Sequence, residues 1–193
     1  MKLKQAFRYQ ISEMVKPVVI FYIVIAAIIT SMIVTVAFAF DGTAMSSNGL
    51  EMASFIFLFV CGLNSFKENF RMYLQNSLSR KTLFFSVVST MIVISFGMAF
   101  IDGLIARALT GTGYYDSLFI MSYLPYVAKL SPVLSFMAEL CWNFFLYLFG
   151  TMLGLFITIG YYRMNRPAKL CVSIGVPSLL FIILPMIDGA LFG

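Results

Sequence analysis

The chain has no histidine, and only 11% of its 193 residues are charged. The first absence removes Ser-His-Asp and Cys-His catalysis, together with the usual His-containing zinc sites. The second excludes a soluble domain, which averages roughly 25% charged residues. Cysteine is scarce as well. Cys61, Cys141 and Cys171 lie far apart inside apolar runs, without CxxC spacing, and read as small packing residues in helices. No GxxxxGK[ST] stretch occurs, so the chain carries no P-loop for ATP. Composition and motif together point to no catalytic residue, no metal site and no cofactor held by this chain.

What is abundant is apolar sequence. Hydrophobic residues make up 61% of the chain and fall in runs near the roughly 20 residues needed to span a bilayer. The expected fold is an all-α integral membrane protein with a single transmembrane domain over residues 1–193. Five transmembrane helices are expected, at about 17–40, 50–66, 83–101, 132–161 and 169–187. The first contains an Ala37-Phe38-Ala39 triplet resembling a cleavage site. Its apolar run far exceeds the roughly 7–15 residues of a signal peptide, so it reads as a retained helix. An odd number of spans leaves the C-terminus outside, and the abrupt ending "PMIDGALFG" suggests a sixth helix absent from this chain.

Charge placement sets the expected orientation. Of the 13 Lys and Arg residues, 11 lie at the N-terminus (Lys2, Lys4, Arg8, Lys16), at Lys67, Arg71, Arg80 and Lys81, and at Arg163, Arg166 and Lys169. Arg107 and Lys129 stand in the other connections beside Asp41, Glu51, Asp102 and Asp116. Positive residues stay cytoplasmic, so the N-terminus is expected inside a plasma membrane. The net charge of +5 then reflects topology and anionic lipid, with no nucleic-acid partner required. Ahead of the first span, "KLKQAFRYQISEMVKP" places Leu3, Phe7, Ile11 and Met14 on one face. That pattern suits an interfacial helix over 1–16, with Pro17 allowing a turn into the bilayer.

Ionisable residues inside spans are functional candidates, because burying them costs a few kcal/mol. Glu139, followed by Trp142 and Asn143, lies two turns into the fourth span and is a candidate for a substrate path; the alternative is an interfacial Glu with an aromatic anchor. Gly150 and Gly154 form a GxxxG pair for close helix packing with an unspecified neighbour. Two "IDG" triplets, at Asp102 and Asp188, raise intramembrane aspartyl proteolysis. They read more simply as helix ends with Asp-Gly turns, so no enzyme activity is expected. Pro177 and Pro185 should kink the last span.

Between the second and third spans, Phe66, Phe70, Tyr73, Leu74 and Leu78 recur at helical spacing beside Lys67, Glu68 and Arg71. This is an amphipathic cytoplasmic helix over about 66–78, ended by "NSLSRKT", with Ser79 placed to cap the next helix. Spacing alone leaves two readings open: a helix that anchors the connection on the membrane, or a docking face for another protein.

The order of these parts, with "FKENF" at 66–70, "QNSLSRKT" at 75–82 and a long fourth helix ending "GYYRMNRP", resembles the membrane subunits of ABC-2 type transporters, in particular the small permeases of Gram-positive bacteria. The likeness covers most of the chain and rests on short segments. It implies a six-helix permease subunit of an ATP-driven exporter in a bacterial plasma membrane. Such a subunit pairs with a second copy or a homologous subunit and with separate ABC ATPase subunits that carry ATP and Mg. The ATPase contact would fall on Phe66, Lys67, Glu68, Phe70, Arg71, Tyr73, Leu74 and Leu78. Ser77 departs from the Gly that many such permeases carry, and the sixth helix is missing. Amphipathic peptides or other lipid-soluble compounds would suit the cargo. The rival reading is a non-transporting membrane protein such as a sensor, assembly or immunity factor.

Overall fold

A computed structural model describes residues 2–39, 49–75, 80–110, 117–127, 131–165, 167 and 169. The chain divides into two units, Met1–Leu155 and Phe156–Gly193, and the packing below lies within the first. Among the described residues all regular structure is helical: α1 (Lys2–Ala39), α2 (Leu50–Gln75), α3 (Arg80–Thr110), α4 (Leu118–Val127) and α5 (Pro132–Arg163). Among the described residues, three stretches are long and apolar enough to cross a membrane, Phe7–Ser31, Phe84–Leu109 and Pro132–Arg163, and Leu50–Ser65 is a shorter apolar helix. Apart from Lys169, the expected fifth span lies outside the described residues, as do Pro177, Pro185 and Asp188.

The helix ends follow local chemistry. Gly49 begins the approach to α2 with φ of 128°, a conformation that only glycine adopts without strain. Ser131 caps α5, accepting the Leu134 N–H at 3.4 Å, and Pro132 fills the first helical position, where its missing N–H costs nothing. In α4, Tyr123 leaves helical geometry two residues before Pro125.

Contacts fix the register of the bundle. Gln10 and Tyr22 of α1 meet Ser86 and Asp102 of α3, so these two helices run parallel. On α5, Gly150 faces Phe55 and Gly154 faces Phe59 and Leu63, so α2 and α5 also run parallel. Between α3 and α5 the order reverses: Ser95 meets Thr151, whereas Arg107 meets Pro132. Successive long helices therefore alternate in direction, as they must to cross a bilayer repeatedly. The starts of α1 and α3 share one end of the bundle, which gathers the basic N-terminus and Lys81 there.

The buried and exposed faces are inverted relative to a soluble protein. Val19, Ile20, Ile23, Phe85, Phe96, Phe145 and Phe149 are exposed, while Ser54, Ser86, Thr90, Ser95, Asp102, Glu139, Asn143 and Thr151 are buried. In lipid, apolar residues gain nothing by facing inward, and helices associate through small residues, packing and interhelical hydrogen bonds. Leu58, Met98, Ala99 and Tyr147 form the apolar centre, with Val18, Phe21, Phe55 and Phe144 packed around it.

Several sequence expectations are corrected here. No turn occurs at Pro17: α1 runs through it unbroken. Gln10, expected in an interfacial helix, is buried against α3 and accepts hydrogen bonds from Ser86 at 2.8 Å and Thr90 at 3.1 Å. Two polar residues at the start of α3 thus draw in a segment whose periodicity alone suited the membrane surface. Nor does a separate helix begin at residue 66. The backbone is helical from Leu50 through Gln75, because no glycine, proline or cap interrupts the chain after Ser65 and extending a helix costs less than nucleating another. Finally, Asp102-Gly103 does not end a helix. It lies inside α3, which continues to Thr110. A mid-helix glycine costs only about 1 kcal/mol, and here its bare backbone leaves room for the Phe136 ring, which would sit 3.2 Å from a Cβ at Gly103.

Candidate functional site: a buried acidic seam

Three helices converge at the end of the bundle where α2 and α5 begin and α3 ends. On α5 the buried face reads Ser135, Glu139, Asn143, Tyr147 and Thr151, one residue every four positions. Neighbours at i, i+4 lie one above the other, so these polar groups form a continuous, slowly winding stripe along α5. Glu51 and Ser54 of α2 and Asp102 of α3 bury themselves against the same region.

Asp102 is the centre of this seam. It is 1% exposed, and each of its carboxylate oxygens accepts a phenol: Tyr22 donates to Oδ1 at 2.8 Å and Tyr147 to Oδ2 at 2.5 Å. The Tyr22 hydroxyl also lies 3.3 Å from the Met98 carbonyl. Two aromatic hydroxyls from α1 and α5 thus offset the cost of taking the carboxylate out of water. Ser54 Oγ stands beside Asp102 and Tyr147, yet misses hydrogen-bond geometry and has no partner.

A second acidic group lies one step along. Glu139 is 1% exposed and pairs with Arg107 at 3.9 Å, a long ion pair whose guanidinium is partly solvated. Arg107 is held by the Pro132 carbonyl at 3.0 Å and by the Phe136 ring, 5.4 Å from its centroid. Glu139 Oε1 lacks a hydrogen bond, as does the neighbouring Ser117 Oγ. Glu51 lies within electrostatic reach of both Asp102 and Glu139. Its Oε1 accepts the Leu118 N–H at 3.2 Å, placing an acidic group at the N-terminus of α4 where the helix dipole favours it. No group of three or more His, Cys, Asp or Glu residues suited to a metal occurs among the described residues.

The fourth-span candidates separate. Glu139 and Asn143 join the seam, and both amide atoms of Asn143 are buried without a partner. Glu139 is buried within the bundle, beside an Arg107 side chain that is partly exposed. Trp142 points elsewhere, its ring 6.1 Å from Phe119 of α4. Gly150 and Gly154 pack on α2: a Cβ at Gly150 would come 2.7 Å from the Phe55 ring, and one at Gly154 would run into the Phe59 carbonyl. The proposed docking residues Phe66, Lys67, Glu68, Phe70, Arg71, Tyr73 and Leu74 lie on the helical backbone of α2, with their side chains outside the described residues; Leu78 also falls outside them.

Sequence reasoning missed Asp102, Tyr22, Tyr147, Glu51 and Ser54. The available signal was an ionisable residue within an apolar run, which the Asp-Gly turn reading set aside. Together these features define a helical, membrane-embedded bundle with an apolar exterior and an acidic polar interior. No family model, curated protein or solved structure matches the chain.

Proposed function

We propose that this chain is the membrane subunit of an exporter, with the Glu51–Asp102–Glu139 seam forming part of its cargo path. The observation that carries the reading is the burial of three carboxylates inside an apolar bundle, beside hydroxyl and amide groups that lack partners. Paired carboxylates can hold a bundle together, but a purely structural one has no use for the buried polar atoms left unpaired beside them, which cost free energy in lipid.

Energy comes from a second polypeptide, because the chain has no P-loop. The resemblance of "FKENF", "QNSLSRKT" and "GYYRMN" to ABC-2 type permeases makes that partner an ABC ATPase carrying ATP and Mg. Its docking face is Phe66, Lys67, Glu68, Phe70, Arg71 and Tyr73. Continuity of α2 supports this arrangement. The 24 residue steps from Glu51 to Gln75 form one rod of about 36 Å, so force at the docking segment reaches the seam without a hinge. The basic end of the bundle faces the cytoplasm of a bacterial cell, and a second permease subunit completes the path.

The test is affinity purification from the native membrane. A P-loop ATPase should be recovered with the chain, and Phe70→Glu combined with Arg71→Glu should release it. Unchanged recovery from the double variant refutes the docking face. Absence of any P-loop protein favours the rival, a sensor, assembly or immunity factor.

A further inference from the structure

An open groove of about 660 Å³ runs between α1 and α3, lined by Val18, Val19, Tyr22, Ile25, Ile101 and Ile105 among other apolar residues. Its volume lies within the roughly 300–1,000 Å³ of small-molecule sites. Tyr22 belongs to both the groove and the seam: its ring lines the apolar wall and its hydroxyl donates to Asp102 Oδ1 at 2.8 Å. One side chain therefore separates a hydrocarbon-lined groove from a buried carboxylate.

We propose that groove and carboxylate form one site for a cationic amphiphile, a protonated amine on a hydrocarbon body. The body lies along α1 and α3, and the ammonium displaces the Tyr22 hydroxyl from Asp102 Oδ1. Three observations select this chemistry. No cation pairs with Asp102 among the described residues, so an ammonium there makes a new charge-assisted hydrogen bond. Ser54 Oγ, fully buried and unpartnered beside Asp102, is an acceptor for a second N–H of the same ammonium. Asn143, one turn before Tyr147 on the same buried face of α5, leaves a further unpartnered amide along the seam. The displaced Tyr22 ring remains beside the cation and attracts it through its π face. A fatty acid of the same length would set carboxylate against carboxylate, and a neutral amide would forgo the charged bond.

The inference names the cargo class for the export path proposed above, and its role in export rests on that reading. Binding itself is measured without ATP or a partner. The full chain, in discs of phosphatidylcholine, is titrated with a dansyl-labelled long-chain amine, its N-acetylated twin and the matching fatty acid. Displacement by unlabelled compound isolates saturable binding from partitioning. The amine should bind at least about 10-fold tighter than the acetylated twin, a difference of about 1.4 kcal/mol. Asp102→Asn should reduce that ratio to near one, while Ile105→Trp, which fills the groove, should weaken both probes together. Tyr22→Phe keeps the ring and removes the competing hydroxyl, so it should tighten the amine alone; this arm decides the question even if Asp102→Asn fails to fold. Equal binding of amine and twin, or a Tyr22→Phe protein that binds the amine no better, overturns the proposal. Displacement of the probe by phosphatidylethanolamine added to the disc would assign the site to a membrane lipid and overturn it as a cargo site. Amine selectivity without a co-purifying ATPase keeps the site and removes the export reading; the reverse result keeps export and removes the cargo class.

Discussion

Substituting alanine at Gly154 adds one methyl group to the crossing of α2 and α5. That methyl would collide with the Phe59 carbonyl, and would sit 3.0 Å from the Leu63 nitrogen and 3.2 Å from the Gly62 carbonyl carbon. All three are backbone atoms of a continuous helix, so no rotamer change relieves the contact and the helices must separate. Gly62 has the same problem from the other side, its Cβ running into the Thr151 carbonyl. Overpacking of this kind costs about 1–3 kcal/mol, and the separation should place it toward the upper end. Alanine returns about 1 kcal/mol through its better helix propensity. The net expectation for Gly154→Ala is a loss of about 1–2 kcal/mol. Gly97 supplies the control, because a Cβ there meets nothing within 4 Å, and Gly97→Ala should gain up to about 1 kcal/mol. Gly150→Ala should fall between them, since its obstacle is the movable Phe55 ring, 2.7 Å away. The double variant Gly62→Ala with Gly154→Ala should cost less than the sum of the singles, because the first separation already makes room for the second. The measurement is reversible unfolding in mixed micelles, followed by helical circular dichroism and by the lone tryptophan, Trp142. A Gly154→Ala protein as stable as Gly97→Ala would show that the α2–α5 crossing is not as described.

Two further outcomes follow from the seam and from α1. Arg107→Met leaves the Glu139 carboxylate buried without its cation and should destabilise the bundle, whereas adding Glu139→Gln should recover much of the loss; the same unfolding assay checks this, and a double variant no better than the single refutes the pairing. In a background free of Cys61, Cys141 and Cys171, cysteines at Gln10 and Ser86 should be joined in the membrane by a short bis-maleimide, because the hydrogen bond between the native side chains holds the two positions on facing sides of α1 and α3. An N-terminal helix lying in the headgroup plane would give no such product.

The parts of the fold legible in the chain were those governed by local composition. The fourth span was expected at 132–161 and α5 runs Pro132–Arg163, since Ser131, Pro132 and a long apolar run mark its start and course. Glu139 and Asn143 stood out because ionisable and amide groups are rare in lipid. Asp102 was misread because its local signal, an Asp-Gly pair, is a good turn former, while its partners Tyr22 and Tyr147 lie 80 and 45 residues away. The second span was expected to end near residue 66, yet α2 continues through it, because hydrogen bonds within the helix need no help from side chains there.

Sequence by itself determined that this protein is helical and suited to a membrane, because an 11% charged chain with long apolar runs has no other stable solvent. Tertiary structure decided which polar residues meet. Only the alternating course of α1, α2, α3 and α5 brings two phenols to Asp102, sets Glu51 within electrostatic reach of both Asp102 and Glu139, and leaves Tyr22 between that acidic seam and the apolar groove. The physical reason is that interhelical hydrogen bonds depend on register across the whole bundle, and no local pattern encodes register.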